Sequence, residues 1–298
     1  MRAIIMYTIY MQRLKAQGVW YLLLGFLIVA VVIWSFVLED RKGDVLTVAF
    51  LDVGQGDAVY IEAPNGNQVL IDGGANAKVL RELSRIIPFY DRSIDIVIAT
   101  HPDTDHIGGL SDVLERFDVN YIFQSGVAGD SNTYDSFVRF IKQEVTGGAQ
   151  RILARRGQVI VLDEGVELHI LFPDRDVSEV ESNAGSIILQ LVYGETEFML
   201  TGDSPQAIEK YLVGIDGVNL RSDVLKVGHH GSKTSSAESF LAAVLPEYAI
   251  ISAGANNRYG HPHVEVLGNF ESIESKLLST FESGTIIFES DGESVTMR

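Results

Sequence analysis

Residues 44–298 are predicted to fold as two mixed β-sheets with helices outside them, behind one N-terminal membrane-spanning helix. Three observations predict this. Short β-branched runs outnumber helix-like segments, and some are joined as hairpins, a pattern that fits a simple doubly wound parallel sheet poorly. No internal period and no low-complexity linker interrupts the chain after residue 44, so that part reads as one domain. Residues 19–38, VWYLLLGFLIVAVVIWSFVL, contain no charged residue.

At about 1.5 Å per residue that run reaches roughly 30 Å, the thickness of a bilayer's hydrocarbon core. Trp20, Tyr21 and Trp34 lie near its ends, where interfacial aromatic anchors sit. A cleavable signal sequence has a shorter apolar region, about 7–15 residues, and a small-x-small cleavage site. Phe36-Val37-Leu38-Glu39 offers none. Arg2, Arg13 and Lys15 precede the span without an acid among them, whereas Glu39, Asp40 and Asp44 follow it. The positive-inside rule then predicts a short cytoplasmic tail (1–18), a single-pass anchor in the cell membrane (19–38) and an extracytoplasmic domain (44–298).

Along that domain the strand candidates are Val45–Val53, Ala58–Glu62, Gln68–Ile71, Ile94–Thr100, Tyr121–Gln124, Gln158–Leu162, Val166–Leu171, Ile187–Tyr193, Glu197–Leu200, Val224–Val227, Tyr248–Ser252 and Thr285–Glu289. Asn65-Gly66 marks a tight hairpin turn. Helices are expected over Ala77–Ile87, Leu110–Arg116, Tyr134–Val145, Pro205–Val213, Ala237–Val244 and His263–Leu278. Ser204-Pro205 reads as an N-cap followed by proline in the first turn.

Composition narrows the chemistry. The 298 residues include no cysteine, which excludes disulfides, a thiolate nucleophile and Cys-ligated metal sites. The net charge is −17; all 40 acidic residues and 20 of the 23 basic ones follow residue 38, so the outer part carries −20. That charge argues against a general nucleic-acid coat, which rests on Lys and Arg at phosphates. It is compatible with carboxylates that gather metal cations. Arg151, Arg155 and Arg156 form the one tight basic cluster and read as a solvated turn rather than a nucleic-acid track.

Six of the seven histidines fall in three short segments. His169, inside an apolar strand, reads as structural. Thr100-His101-Pro102-Asp103-Thr104-Asp105-His106-Ile107-Gly108-Gly109 follows an apolar strand and leads into a helix. It puts four potential ligands within six residues, which can converge only from a loop or helix start because a strand sends neighbours to opposite faces. Asp203 in Thr201-Gly202-Asp203-Ser204 also ends a strand, and taken alone would read as a helix N-cap. Gly228-His229-His230-Gly231-Ser232 pairs two histidines between glycines, a poor core motif and a plausible ligand site. In Asn257-Arg258-Tyr259-Gly260-His261-Pro262-His263, His261 with Arg258 and Asn257 could meet an anionic substrate.

The ordered motifs LDVGQGDA (51–58), LIDGG (70–74), THPDTDHIGG (100–109), LTGD (200–203), VLKVGHHGS (224–232) and NRYGHPH (257–263) resemble the metallo-β-lactamase superfamily. More narrowly, they resemble the hydrolase domain of the DNA-internalisation competence proteins of the ComEC type. The resemblance covers essentially all of residues 45–298. It implies an αββα sandwich with two divalent metals, Zn²⁺ or Mn²⁺, where strand ends of the two sheets meet. By the same resemblance His101 and Asp103 serve one metal, Asp105 and His106 the other, Asp203 bridges them, and His229 or His230 completes the second site. Asp72 supports the ligand loop, and Asp57 lies near the metals as a further support. Two departures matter. Asp103 stands where the wider superfamily has a second histidine, and Asn183 stands in the stretch that carries its third-motif histidine; oxygen in place of imidazole shifts preference toward harder ions.

A dinuclear centre suits phosphodiester hydrolysis by metal-bound hydroxide, with Asp105 or Asp203 holding the proton and Ser232, Lys233, Arg258 and His261 gripping the phosphate. The resemblance implies DNA as substrate; with one span in place of the multi-span channel of a full uptake protein, a separate membrane channel protein is a candidate partner. A cell-wall or other small phosphodiester is the alternative, and a catalytically inactive anchored binding module is a third reading.

Overall fold

The computed structural model describes residues 18–35 and 45–298. Arg2, Arg13, Lys15, the end of the apolar run (36–38) and the charged residues 39–44 lie outside the described residues. Gly18–Ser35 forms one helix, α1, long and apolar enough to cross a membrane. Residues 45–298 belong to a separate compact unit.

In that unit β1 (Leu46–Phe50), β2 (Val59–Glu62), β3 (Gln68–Ile71), β4 (Ser93–Ala99), β5 (Asp118–Gln124) and β6 (Gln150–Leu153) enter one sheet in chain order. The chain then builds the second sheet from β7 (Val159–Asp163), β8 (Val166–Phe172), β9 (Ile188–Tyr193), β10 (Thr196–Leu200), β11 (Val224–Lys226), β12 (Tyr248–Ile251) and β13 (Lys276–Ser279). It returns with β14 (Ile286–Ser290), which pairs antiparallel with β1, and β15 (Val295–Met297) at the edge. Each sheet has an antiparallel part and a parallel part. In the first, β3 through β6 are parallel; in the second, β10 through β13 are.

The pleat explains the apolar runs. In β4, Ile96 and Ile98 face the second sheet while Val97 and Ala99 face α2 (Lys78–Leu83), α4 (Leu110–Arg116) and α5 (Asn132–Gly147), with α3 (Thr104–Ile107) at the strand's end. In β10, Phe198 and Leu200 enter the shared core and Met199 meets the outer layer of α6 (Gln206–Asp216), α7 (Glu238–Val244) and α8 (Val264–Ser272). Strands covered on both faces read as continuous apolar stretches. The result is the four-layer αββα sandwich expected from the resemblance. Each fully buried aromatic of the shared core, Phe50, Phe198 and Phe288 among them, contributes roughly 1.5–3 kcal/mol of burial.

Several local expectations change. The predicted helix His263–Leu278 is a helix only to Ser272; Glu274 adopts a left-handed φ of 56°, and Lys276–Ser279 pairs parallel with β12 as β13. Tertiary strand pairing overrides the local apolar spacing there. Edge strands β6 and β15 carry too few apolar residues to announce themselves. Pro205 rather than Ser204 occupies the cap position of α6. The arginine cluster is not a free solvated turn: Arg155 donates to the carbonyls of Ser125 and Ala154, and Arg156 holds Asp216 and the Leu171 carbonyl. His169 is half-exposed and pairs with Glu167.

The parallel strands decide where chemistry can assemble. The C-terminal ends of β3, β4, β10 and β11 release Asp72, Thr100-His101, Asp203 and His229-His230. Open sheets with parallel strands bind ligands at such ends.

Candidate metal centre

Three buried histidines define the centre, and each is oriented through its Nδ1. Asp72 accepts the Thr100 N–H (2.8 Å), the Thr100 hydroxyl (2.7 Å) and His106 Nδ1 (2.7 Å). The Thr100 hydroxyl hydrogen is thereby committed to Asp72, so His101 Nδ1 (3.0 Å) must donate to the Thr100 oxygen. His230 Nδ1 donates to the Ser252 carbonyl at 2.9 Å. In all three rings Nε2 is buried without a hydrogen-bond partner, and so is Asp203 Oδ1. Desolvated polar atoms without partners are costly unless something else meets them. A cation among the Nε2 atoms meets all of them.

The distances separate two sides of this cluster. His106 Nε2 lies 3.3 Å from Asp203 Oδ1, and His230 Nε2 lies 3.3 Å from Asp105 Oδ2 and 3.4 Å from Asp203 Oδ2. For metal–ligand bonds near 2.1 Å, a tetrahedral shell has ligand–ligand edges of about 3.4 Å. On the other side His101 Nε2 is 3.7 Å from Asp103 and 4.0 Å from Asp203, and His229 Nε2 is 3.7 Å from Asp203. The Asp103 side chain is 44% exposed, and its carboxylate also accepts the Ser182 hydroxyl. Asn183 Oδ1 is buried without a partner.

Asp57, His106, Asp203 and His230 can each present a ligand atom within 4.8 Å of the others. Asp57 nevertheless sits behind the rings. Its contacts run to His230 Nδ1 (3.2 Å) and His106 Nδ1 (4.0 Å), the nitrogens already committed to Ser252 and Asp72. Its other oxygen holds Lys226 Nζ at 2.6 Å, and Lys226 also donates to the Val227 carbonyl. Asp57, like Asp72, thus contacts the Nδ1 side of the rings. Asp203 is no N-cap; its carboxylate faces the rings.

Local backbone makes the convergence possible. His229 and His230 both adopt left-handed φ values, 49° and 55°, in the turn Gly228–Gly231, an arrangement costing roughly 1–3 kcal/mol per residue that surrounding contacts must hold. Gly56 is required where the DVGQGD turn crosses the ligand helix: a Cβ there would lie 1.9 Å from the Asp105 carbonyl oxygen.

The electrostatics follow from this packing. Burial disfavours charge on His106 and His230, but Asp203, with Asp72 or Asp57, outweighs it and holds both rings well above the ordinary range. Burial also works against the Asp203 carboxylate, yet His230 and His106 keep it well below the usual value. Asp105 is likewise held low by His230 and His106 against its own burial. His101, buried and beside His106, falls to about 4. A divalent ion bound here would displace the protons of His106 and His230 and would meet the already ionised Asp203 and Asp105.

The remaining expected site residues are less tightly gathered. His261 lies beside the cluster, its ring centroid 5.5 Å from His229 and 6.4 Å from His230; burial and neighbouring histidines lower it to about 4. Arg258 is exposed and lies over the Tyr259 ring. Ser232 is buried and engages Thr234, while Lys233 is exposed with its backbone N–H on His263. Lys226 was not expected in the centre. Its signal was present: a lysine inside a doubly covered strand demands a buried anionic partner.

Sequence and structure comparisons identify the family and the fold. The Metallo-beta-lactamase superfamily profile matches residues 51–255. The chain is 32% identical over 257 residues to ComE operon protein 3 of Bacillus subtilis, covering 80% of this chain and 32% of that protein. It is 34% identical over 246 residues to competence protein ComA of Neisseria gonorrhoeae, covering 81% of this chain and 32% of that one. It thus spans about a third of the length of these relatives. Among solved structures, CmlA, a diiron beta-hydroxylase from Streptomyces venezuelae, aligns with a TM-score of 0.51 at 13% identity, over 78% of this chain and 52% of CmlA. A long-form RNase Z from yeast aligns with a TM-score of 0.51 at 11% identity, over 83% of this chain and 42% of the RNase. Both likenesses concern the fold alone.

Proposed function

This chain belongs to the metallo-beta-lactamase superfamily, and on that premise we propose that it is a membrane-anchored, metal-dependent phosphodiesterase acting on DNA. The observation that carries the hydrolase reading is the meeting of His101, His106 and His230 Nε2 with Asp203, all buried and unpartnered, at the strand ends. Asp105, His106, His230 and Asp203 would hold one ion; His101 and Asp103, sharing Asp203, would hold a second, with His229 at its margin. The ligand types, imidazole and carboxylate without thiolate, suit Zn²⁺ or Mn²⁺. Bound metal supplies Lewis acidity and an activated water.

The chain's own residues do the rest. Asp203 and Asp105, held ionised, are proton acceptors rather than acids at neutral pH. Asp105 is the more accessible of the two and is the one placed to take a proton from an attacking water. Arg258 offers charge to a phosphate at the cleft's edge. His261, being neutral, offers a hydrogen bond, with Ser232 and Lys233 on the neighbouring turn as further phosphate contacts.

DNA as substrate is supported by the likeness to a protein named for competence, together with the resemblance of the ordered motifs to the ComEC type. The length and apolarity of α1 support anchoring in a membrane, and the basic residues that precede it support placing the domain outside the cell membrane. The −20 charge of the outer part favours a second reading, a small phosphodiester.

Full-length protein in detergent, stripped and reloaded with Mn²⁺ or Zn²⁺, should cleave DNA oligonucleotides as well as a bis-aryl phosphodiester. Hydrolysis of the small ester alone, undiminished by competing DNA, would replace the first reading by the second. Failure to bind either metal would leave an inactive binding module.

A further inference from the structure

A cavity of about 420 Å³ opens directly beside Asp105, bounded by the turn at Gln55, by Ala75 and Thr104, and by the loop 256–259. Its volume lies in the range that accepts a small-molecule moiety. Its chemistry is unlike that of a phosphate cradle. Arg258 supplies the cation of its lining and Asp105 the carboxylate; the remaining polar groups are the Thr104 hydroxyl, the amides of Gln55, Asn256 and Asn257, and Tyr259 with its ring. Gln55 accepts the Gly254 N–H through its oxygen, which leaves Nε2 buried and without a partner. Asn257 is committed to the loop itself: its amide donates to the Gly254 and His261 carbonyls, and its oxygen accepts from Tyr259 and His261. Tyr259, on the braced loop, is 49% exposed and so offers ring surface to a ligand. The Arg258 guanidinium lies 4.9 Å over its ring, and the ring of His261 stacks on it at 5.7 Å and 22°.

We propose that this cavity is a nucleoside subsite, in which the base next to the scissile phosphate packs against Tyr259 and takes a hydrogen bond from Gln55 Nε2. The proposal rests on the phosphodiesterase reading above and deepens it. A base in a duplex is stacked and paired and cannot reach a cavity adjoining Asp105, so the substrate is single-stranded or locally unpaired. Stacking also removes the difficulty posed by the acidic domain: affinity comes from an aromatic face and one flanking Arg258–phosphate contact, not from a basic track. Binding then depends weakly on salt, with a slope near that of one or two phosphate contacts.

The test uses full-length, metal-loaded protein in detergent and two probes, a single-stranded DNA oligonucleotide and bis-p-nitrophenyl phosphate. Fluorescence anisotropy of the labelled oligonucleotide, with Ca²⁺ in place of the activating metal, reads binding apart from turnover. Tyr259→Leu should weaken oligonucleotide binding roughly 5- to 100-fold, the range for loss of one stacked base, while Tyr259→Phe restores it. Gln55→Ala should weaken it by a smaller factor of about 5. The ratio of kcat/KM for oligonucleotide over the aryl ester should fall with binding in Tyr259→Leu. A blunt duplex of the same sequence should bind at least about tenfold more weakly than the single strand. Equal affinity for duplex and single strand, or a Tyr259→Leu protein that binds and discriminates like wild type, overturns the subsite. Wild-type protein that hydrolyses the aryl ester yet neither binds nor cuts oligonucleotide overturns the DNA reading itself, and is distinguished by failing before any substitution is made.

Discussion

The two sides of the metal centre are built to different standards. On one, Asp105, His106, His230 and Asp203 stand 3.3–3.4 Å apart where the pairs meet, with both rings and Asp203 fully buried. On the other, His101, Asp103, His229 and the shared Asp203 are separated by 3.7–4.0 Å, and Asp103 and His229 reach solvent. The close side is held from behind by Asp72, Ser252, Asp57 and Lys226. The open side has only Thr100 behind His101, Thr234 behind His229, and Ser182 on Asp103. On the proposed two-ion reading, ions sharing Asp203 would not be held equally: the close position is shaped by the protein alone, whereas the open one would have to be drawn together by its ion.

Asp203, the proposed bridge and the residue common to both sides, offers the hardest blow to them. Asp203→Ala should remove metal from the pair and lower kcat on the order of a thousandfold, measured with the reloaded protein. Activity within tenfold of wild type would mean that Asp203 bridges nothing. Splitting the sides comes next. His230→Ala should weaken the first metal at least a hundredfold in a competition titration, whereas His101→Ala should leave that first binding step within a few-fold of wild type and abolish the second. Equal losses from the two substitutions would erase the distinction between the sides.

The support behind the close side can be removed separately. Lys226→Met leaves the buried Asp57 carboxylate without its cation, an effect expected to cost about 3–5 kcal/mol in denaturant unfolding. A loss below about 1 kcal/mol would show that Asp57 draws its support from the histidines alone. The smallest effect concerns Glu209 on α6. Both of its carboxylate oxygens accept backbone N–H groups, from Ser236 and Ala237, and so brace the segment following the histidine turn. Burial still pushes Glu209 up to about 7. Because its folded value lies above the ordinary 4.5, its contribution is full below about pH 4.5 and is lost as pH rises through 7. Wild-type protein should therefore lose up to about 3 kcal/mol of stability from this group between pH 5 and pH 8, and Glu209→Gln should lose correspondingly less. Identical pH profiles for the two would show that Glu209 ionises freely in the fold.

Much of this centre was legible in the chain, because its ligands are local in sequence and sit at the ends of strongly apolar strands. THPDTDHIGG and GHHGS announce themselves without any partner. What could not be read was direction. Whether His229 or His230 looks inward depends on two left-handed residues and on where the Ser252 carbonyl falls, and β12 sets that. The roles of Asp57 and Lys226 depend on strands far apart in the chain meeting behind the rings. The same distinction holds for the fold. Doubly covered strands such as β4 and β10 were evident from composition, whereas β13 exists because β12 lies beside it, and its residues alone favoured a continued helix. The arginine cluster was misjudged for the same reason: its partners, the Ser125 carbonyl and Asp216, are brought by other elements.

The inequality of the two sides is most directly tested by calorimetric titration of metal-stripped, full-length protein with Mn²⁺ or Zn²⁺. Two binding steps are predicted, the first at least about tenfold tighter than the second and accompanied by proton release from His106 and His230. A single step of two equivalent ions, or one ion that binds undiminished in His230→Ala, would contradict it.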